Sequence, residues 1–386
     1  MQNHSHYKRL LEQQKAKGLL RELNPIKILP EAKVTKDQEH LINFVSNNYL
    51  DLSHHPQIIK AMEVALTEYG AGSTGSRLLG GDLEIFHQTE DYLAKHKGFE
   101  AARLYATGYM ANVGFISAVC QRKHIFCDRL VHASVIDGAR LAGAKIHRFK
   151  HNDVEDLERL LQKYPDEGWI AVESLYSMDG DFAPLAKIVQ LAKKHGQKIV
   201  VDEAHAEGVW GPQGKGLVHE WGLEKQVDAV IATYGKAYGV AGACVLSSQE
   251  LAQWLQNQSR AFIYSTAMSP AIAAGIVASL QVAERESWRR VQVQERSTEL
   301  RESLQNMGIN TLNSQSQIIP LVMGSNEKAL KAAQYLQKEG IWAAAIREPT
   351  VPRGTARLRI NITAGHSHLH IDKLICALRN FFKKEL

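Results

Sequence analysis

Cysteine is scarce in this chain. Cys120, Cys127, Cys244 and Cys376 are the only four among 386 residues. That is too few for a disulfide framework, so a reducing cytoplasm is the expected compartment. Long apolar runs are missing too, and nothing here spans a bilayer. The start, Met1-Gln2-Asn3-His4-Ser5-His6-Tyr7-Lys8-Arg9, lacks the apolar core of a secretory signal. Charge of one sign is also missing. The net charge of +5 is small for this length and forms no basic block, so no nucleic-acid partner and no membrane partner are expected. Cys120, His124 and Cys127 give three candidate metal ligands but no second ligand pair follows, and Ile125-Phe126 between them reads as a strand. No metal is expected. Internal repeats and low-complexity segments are absent as well.

What is present is an ordinary globular composition, 45% hydrophobic and 23% charged. The length suffices for a large core and more than one domain. Residues 7–23 read as a helix anchored by Leu10, Leu11, Leu19 and Leu20, with Pro25 and Pro30 closing that arm. Residues 57–69 repeat apolar positions at steps of three and four, a helical pattern. A glycine-rich loop follows, from Gly70 to Gly81. Between about 100 and 250, short apolar runs alternate with amphipathic helices. The runs are 103–106, 125–128, 170–173, 199–202, 229–232 and 243–246. They predict buried parallel strands with helices on both faces of the sheet. Residues 250–306 are mostly helical, with one long amphipathic stretch from Ser269 to Met307. The final segment alternates strand (318–322), helix (326–339), strand (357–361) and helix (about 370–383). The predicted organisation is therefore an N-terminal helical arm over 1–45, a large α/β domain over 46–285 with a mainly parallel sheet, and a small α+β domain over 286–386.

Sheets of this kind bind ligands at the carboxyl ends of their strands. Asp202 ends the run Ile199-Val200-Val201 and is followed by Glu203-Ala204-His205; Lys236 follows the run 229–232. They stand 34 residues apart, about one strand–helix–strand unit. Adjacent strands would bring both to one crevice. Pyridoxal 5'-phosphate chemistry needs such a pair. A lysine amine holds the aldehyde, and a carboxylate keeps the pyridine nitrogen protonated so that the ring accepts electrons. A phosphate needs N–H groups at a helix start and a hydroxyl. Gly108-Tyr109 and Thr233 are placed for that role, and His132 is placed to lie on the ring. Each residue also has a bland reading: an aspartate cap, a surface lysine, a loop glycine, a structural histidine. Two rival motifs fit poorly. Gly70-Ala71-Gly72-Ser73-Thr74-Gly75 matches a dinucleotide loop but follows a helix rather than a strand. Gly235-Lys236 lacks the hydroxyl residue and upstream glycine of a P-loop.

The run Val201-Asp202-Glu203-Ala204-His205 with Thr233-Tyr234-Gly235-Lys236-Ala237-Tyr238-Gly239 resembles the α-oxoamine synthases, which are fold-type-I pyridoxal-phosphate enzymes. Asn47-Asn48-Tyr49-Leu50, Gly72 to Arg77, Leu130 to Ser134, Ser177 to Asp181, Tyr264-Ser265-Thr266 and Arg357 to Ile360 continue the resemblance in order from about residue 20 to the C-terminus. It implies that Lys236 holds the cofactor and moves protons, Asp202 pairs with the ring nitrogen, and His205 and Ser177 reach the phenolic oxygen. His132 would stack on the ring. Gly108, Tyr109 and Thr233 would contact the phosphate, and Thr266 would reach it from the partner subunit of a homodimer. Asn47 and Arg359 would bind the amino-acid carboxylate. Gly18-Leu19-Leu20-Arg21-Glu22-Leu23 and the small-residue loop resemble the branch that joins L-alanine to a pimeloyl thioester, carried on coenzyme A or acyl carrier protein. Arg21 would then lie near the acyl chain. Relatives using glycine or serine share the same central motifs. A silent binding module would have lost Lys236 or Asp202, and both are present.

Overall fold

The computed structural model describes residues 3–16, 19–21 and 23–385. Gly18 and Glu22 of the arm motif lie outside the described residues. Helix α1 (Asn3–Ala16) is followed by three strands, β1 (Ile26–Leu29), β2 (Lys33–Lys36) and β3 (Glu39–Asn43), paired in antiparallel order. The helical reading of residues 1–45 is thus corrected over its second half. In β2 the side chains of Val34 and Lys36 turn inward while Lys33 stays exposed, the period-two pattern of a strand.

Helices α2 (Pro56–Tyr69) and α3 (Glu84–Lys97) lead to the central sheet. Its strands are β4 (Ala101–Tyr105), β5 (His124–Asp128), β6 (Lys145–Phe149), β7 (Gly168–Glu173), β8 (Lys198–Asp202), β9 (Ala229–Thr233) and β10 (Ala243–Ser247). Their order is β4-β10-β9-β8-β7-β5-β6. Pairs β5–β6, β5–β7, β7–β8 and β8–β9 are parallel. Strand β10 runs antiparallel to both β9 and β4, which corrects the reading of run 243–246 as parallel. Every residue of β7, β9 and β10 is buried, as two covered faces require. The edge strand β6 has exposed Lys145 and Arg148, and those charges hid it from the apolar-run pattern.

The stretch expected as one helix from Ser269 is two, Pro270–Arg285 and Trp288–Asn306, separated by a non-helical Glu286. The last segment forms β11 (Ile318–Gly324), β12 (Ile341–Trp342), β13 (Ala344–Ile346) and β14 (Ala356–Asn361), with helices Asn326–Lys338 and His368–Glu385. Strands β11, β14 and β13 make an antiparallel sheet. Strand β12 instead pairs in parallel with β3, and Phe44 sits in the same core as Leu321, Leu358 and Leu378. The N-terminal strands therefore pack with the C-terminal unit. No described helix is long and apolar enough to cross a membrane.

Behind the end of β8 lies a wholly buried ion pair. Lys97 Nζ donates to Glu207 Oε1 at 2.6 Å and to the Lys215 carbonyl at 2.8 Å. Neither side chain of the pair is exposed. Glu203, buried beside them, accepts from the Val218 N–H at 2.9 Å, and burial with Glu207 nearby pushes its carboxyl up to about 8. Gly216 has φ +96°, and a Cβ there would come within 2.0 Å of Glu203 Oε2. Only glycine fits. These contacts hold the turn from Asp202 to Glu207 in place from behind. Removing one partner strands a buried charge, which costs on the order of 3–5 kcal/mol. Lys97→Met is therefore expected to lower the thermal unfolding midpoint by several degrees, read by calorimetry.

Candidate active site

Strands β4, β5, β7, β8 and β9 all end at one edge of the central sheet. A cavity of about 410 Å³ opens there, and it gathers Asn47, Gly108, Tyr109, His132, Asp202, His205, Thr233 and Lys236. Eight of the residues singled out in the sequence thus converge.

The order in which they are built explains their geometry. Helix α4 (Gly108–Val119) starts directly after β4, and Thr107 caps it by accepting from the Met110 N–H at 3.1 Å. Its first N–H groups face the cavity with the dipole positive end, a setting for an anion. Gly108 packs on Thr233 so closely that a Cβ would fall 2.7 Å from Thr233 Cγ2. The Tyr109 hydroxyl donates to Asp137 Oδ2 at 2.6 Å. Helix α5 (Ala133–Leu141) is capped by His132, whose Nδ1 accepts from the Ser134 N–H at 3.3 Å.

Asp202 is held from two sides. Asn112 Nδ2 donates to its Oδ2 at 2.8 Å, and the Ala204 N–H to its Oδ1 at 2.9 Å. Lys236 Nζ lies 2.9 Å from His205 Nε2, and His205 Nδ1 lies 2.8 Å from the Tyr49 hydroxyl. Asn47 Oδ1 faces three donors: Arg359 Nη1 at 3.2 Å, Asn361 Nδ2 at 3.2 Å and the Tyr49 hydroxyl at 3.1 Å. A carbonyl oxygen has two lone pairs. Asn361 Nδ2 also donates to the Val45 carbonyl at 2.8 Å, and the Tyr49 hydroxyl stands between Asn47 Oδ1 and His205 Nδ1. Burial lowers the Lys236 amine below its ordinary range, against the pull of Asp202 and Glu173. Burial and the neighbouring Lys236 hold the His205 imidazole well below its ordinary value, and burial lowers His132 as well. The site thus sets an imidazole and an amine, both pushed by burial toward their uncharged forms, in one cavity with Asp202.

Two lining residues were not foreseen as functional. Glu173, at the end of β7, is buried with Oε1 unpartnered, while Oε2 accepts from the Ser177 N–H at 3.2 Å. Burial, with Asp202 adding, pushes Glu173 up to about 8. Asn112 is the other; an asparagine within the apolar helix Gly108–Val119 was the available signal. Arg359 is near-buried on β14, and its Nε donates to the Ser177 carbonyl at 2.7 Å. Ser177 thus meets the site through its backbone. Two expected residues stand apart in this chain. Arg21 is exposed, and Thr266 bridges Ser76 beside a separate small cavity. His124 Nδ1 lies 2.8 Å from His147 Nε2, Cys127 Sγ faces the His147 carbonyl at 3.8 Å, and the described residues contain no group of three His, Cys, Asp or Glu that could hold a metal ion.

The donor set fits pyridoxal phosphate. The close-packed Gly108 and Thr233 cradle suits its phosphate, the fixed carboxylate of Asp202 its ring nitrogen, and the buried amine of Lys236 its aldehyde. The orphaned oxygen of Glu173 adds a buried polar atom that the protein itself leaves unsatisfied.

Comparison with known proteins agrees. Residues 39–378 match the family model "Aminotransferase class I and II". The chain is similar to an 8-amino-7-oxononanoate synthase of Marinobacter nauticus, 40% identical over 95% of this chain and 94% of that one. A second, from Saccharophagus degradans, is 41% identical over 91% and 89%. Among solved structures, a serine palmitoyltransferase of S. paucimobilis with bound PLP superposes with a TM-score of 0.93 at 29% identity, covering 99% of this chain and 98% of that one.

The tight contact at Gly108 gives a direct check. Gly108→Ala is expected to weaken pyridoxal phosphate binding to the apoprotein by ten-fold or more, measured by equilibrium dialysis.

Proposed function

The chain belongs to the class I and II aminotransferase family and, within it, to the α-oxoamine synthases; on that premise we propose that it joins L-alanine to a pimeloyl thioester with loss of carbon dioxide, giving 8-amino-7-oxononanoate, a step of biotin biosynthesis. The observation that carries the reading is the buried Lys236 amine, 2.9 Å from His205 Nε2, sharing one cavity with Asp202. The curated relatives above support the choice of substrates.

Bound pyridoxal phosphate supplies an aldehyde that takes amines and a ring that draws electrons away from the amino acid's α-carbon. The protein's own residues do the rest. Gly108, Tyr109 and Thr233 would hold the phosphate, Asp202 would keep the ring nitrogen protonated, and His205 and Ser177 would reach the phenolic oxygen. Arg359 is pre-set by the Ser177 carbonyl and Asn47, and takes the substrate carboxylate. Lys236 is the base that removes the α-proton and later returns one. The α-carbon then bonds to the thioester carbonyl, the thiol leaves, and the carboxylate departs as carbon dioxide. Depressing an amine by burial lets it act as a base near neutral pH, where an ordinary lysine would be charged.

We read the chain as a homodimer in which Thr266 serves the partner's phosphate site and Arg21 lies near the acyl chain. Exposed Leu79 and Tyr264 close to the Ser76–Thr266 bridge support this. The large unit over 46–285 carries the cofactor and the unit over 286–386 supplies Arg359. A reducing cytoplasm suits its four free cysteines.

Purified protein given L-alanine and pimeloyl thioester should release one thiol and one carbon dioxide per product, with the product identified by mass. Lys236→Ala should turn over nothing. Product from glycine or serine with another acyl thioester, and none from L-alanine, would instead assign it to a sister branch.

A further inference from the structure

One buried cluster near the cavity has no part in the steps above. His151 follows β6 and stands between two aspartates. Its Nδ1 lies 3.0 Å from Asp128 Oδ1 and its Nε2 lies 2.8 Å from Asp181 Oδ2. Both carboxylates are at least nine-tenths buried. Both ring nitrogens therefore face carboxylate oxygens, and a doubly protonated imidazolium donates to both. Asp128 and Asp181 are the charged groups against the ring, and Tyr176 meets it edge-on at 4.5 Å.

The two aspartates sit on the two loops that shape the site. Asp128 ends β5, and its Oδ1 also accepts from the Leu130 N–H at 2.7 Å, shaping the turn that delivers His132. Asp181 closes the loop from Tyr176: the Tyr176 N–H donates to its carbonyl at 3.0 Å, and the Gly180 N–H to the Tyr176 carbonyl at 2.9 Å. That loop presents the Ser177 carbonyl to Arg359 and Asp179 to Arg357. Asn152 reinforces the link, with its N–H on Asp128 Oδ2 at 2.8 Å and its Nδ2 on Asp181 Oδ2 at 2.9 Å.

We propose that His151 is a positioning residue: as a cation shared by Asp128 and Asp181, it ties the turn carrying His132 to the loop that anchors Arg359. Without it, two buried carboxylates face each other unneutralised and the loops part. Geometry and charge agree. Burial alone would lower this imidazole, but the hydrogen bonds and charges of Asp128 and Asp181 more than offset it and raise it to about 10. The sign follows: its contribution is complete below about pH 6.5, the unfolded value. It is lost only as pH rises through about 10.

The kinetic readout rests on the proposed reaction; the spectroscopic one does not. In His151→Gln, the aspartate pair shares a proton at low pH and loses it as pH rises. kcat/KM for L-alanine should then stay within a few-fold of wild type near pH 6 and fall ten-fold or more by pH 8, a limb the wild type lacks. Adding Asp181→Asn should flatten that limb by removing one charge. A uniform loss at all pH values, with no rescue, would reduce His151 to a space-filling role and overturn the proposal. Independently of turnover, and of whether the variant folds, ¹⁵N spectra of the wild-type protein should show both His151 ring nitrogens protonated at pH 8. A neutral His151 there defeats the proposal even if the alanine reaction stands. A protonated one with no alanine turnover leaves the clamp intact and sinks the reaction instead.

Discussion

Taking a lysine amine out of water disfavours its charge, and the architecture around the cavity is arranged about that cost. Lys236 is buried among groups that favour its charge, Asp202 and Glu173, and one that opposes it, Arg359. Desolvation decides the contest. Lys236 Nζ meets His205 Nε2, and the other ring nitrogen meets the Tyr49 hydroxyl. Tyr49 shares Asn47 Oδ1 with Arg359 and Asn361. One hydrogen-bonded chain thus runs from Lys236 through His205, Tyr49 and Asn47 into a strand of the C-terminal sheet.

The rigidity this demands comes from the layers behind. The turn from Asp202 to Glu207 is fixed from below by Lys97 and from the side by Gln317 Nε2, which donates to the His205 carbonyl at 2.7 Å. Buried ion pairs contribute little net stability, because desolvation offsets attraction. What Lys97 and Glu207, or His151 and its two aspartates, provide is a unique arrangement of loops that an apolar core would leave free to slide.

Much of this was legible in the sequence. Strand-end polar residues at one-unit spacing placed Asp202 and Lys236 together, because a parallel sheet aligns its carboxyl ends on one edge. The glycine at 108 was legible because a helix opened straight after a strand. The rest was hidden for identifiable reasons. Strand β6 carries Lys145 and Arg148 at an edge, so it shows no apolar run. The antiparallel sense of β10 has no mark in its residues, which are apolar like those of its parallel neighbours. Strands β1 to β3 read as an arm because their partner lies near the other end of the chain. Glu173 was counted as the end of a strand, since its unpartnered oxygen exists only once β7 and β8 lie side by side. Arg21 and Thr266 sit away from the cavity of their own chain, and the resemblance had already assigned Thr266 to a neighbour.

The pairing of β3 with β12 has a bearing on synthesis. Ile42 and Asn43 leave the ribosome early, and Ile341 and Trp342 emerge only after most of the chain. Until then β3 presents an open edge, with Phe44 lacking the core that later covers it. The nascent protein therefore spends much of its translation with that edge unprotected, an exposure that a chaperone would have to shield.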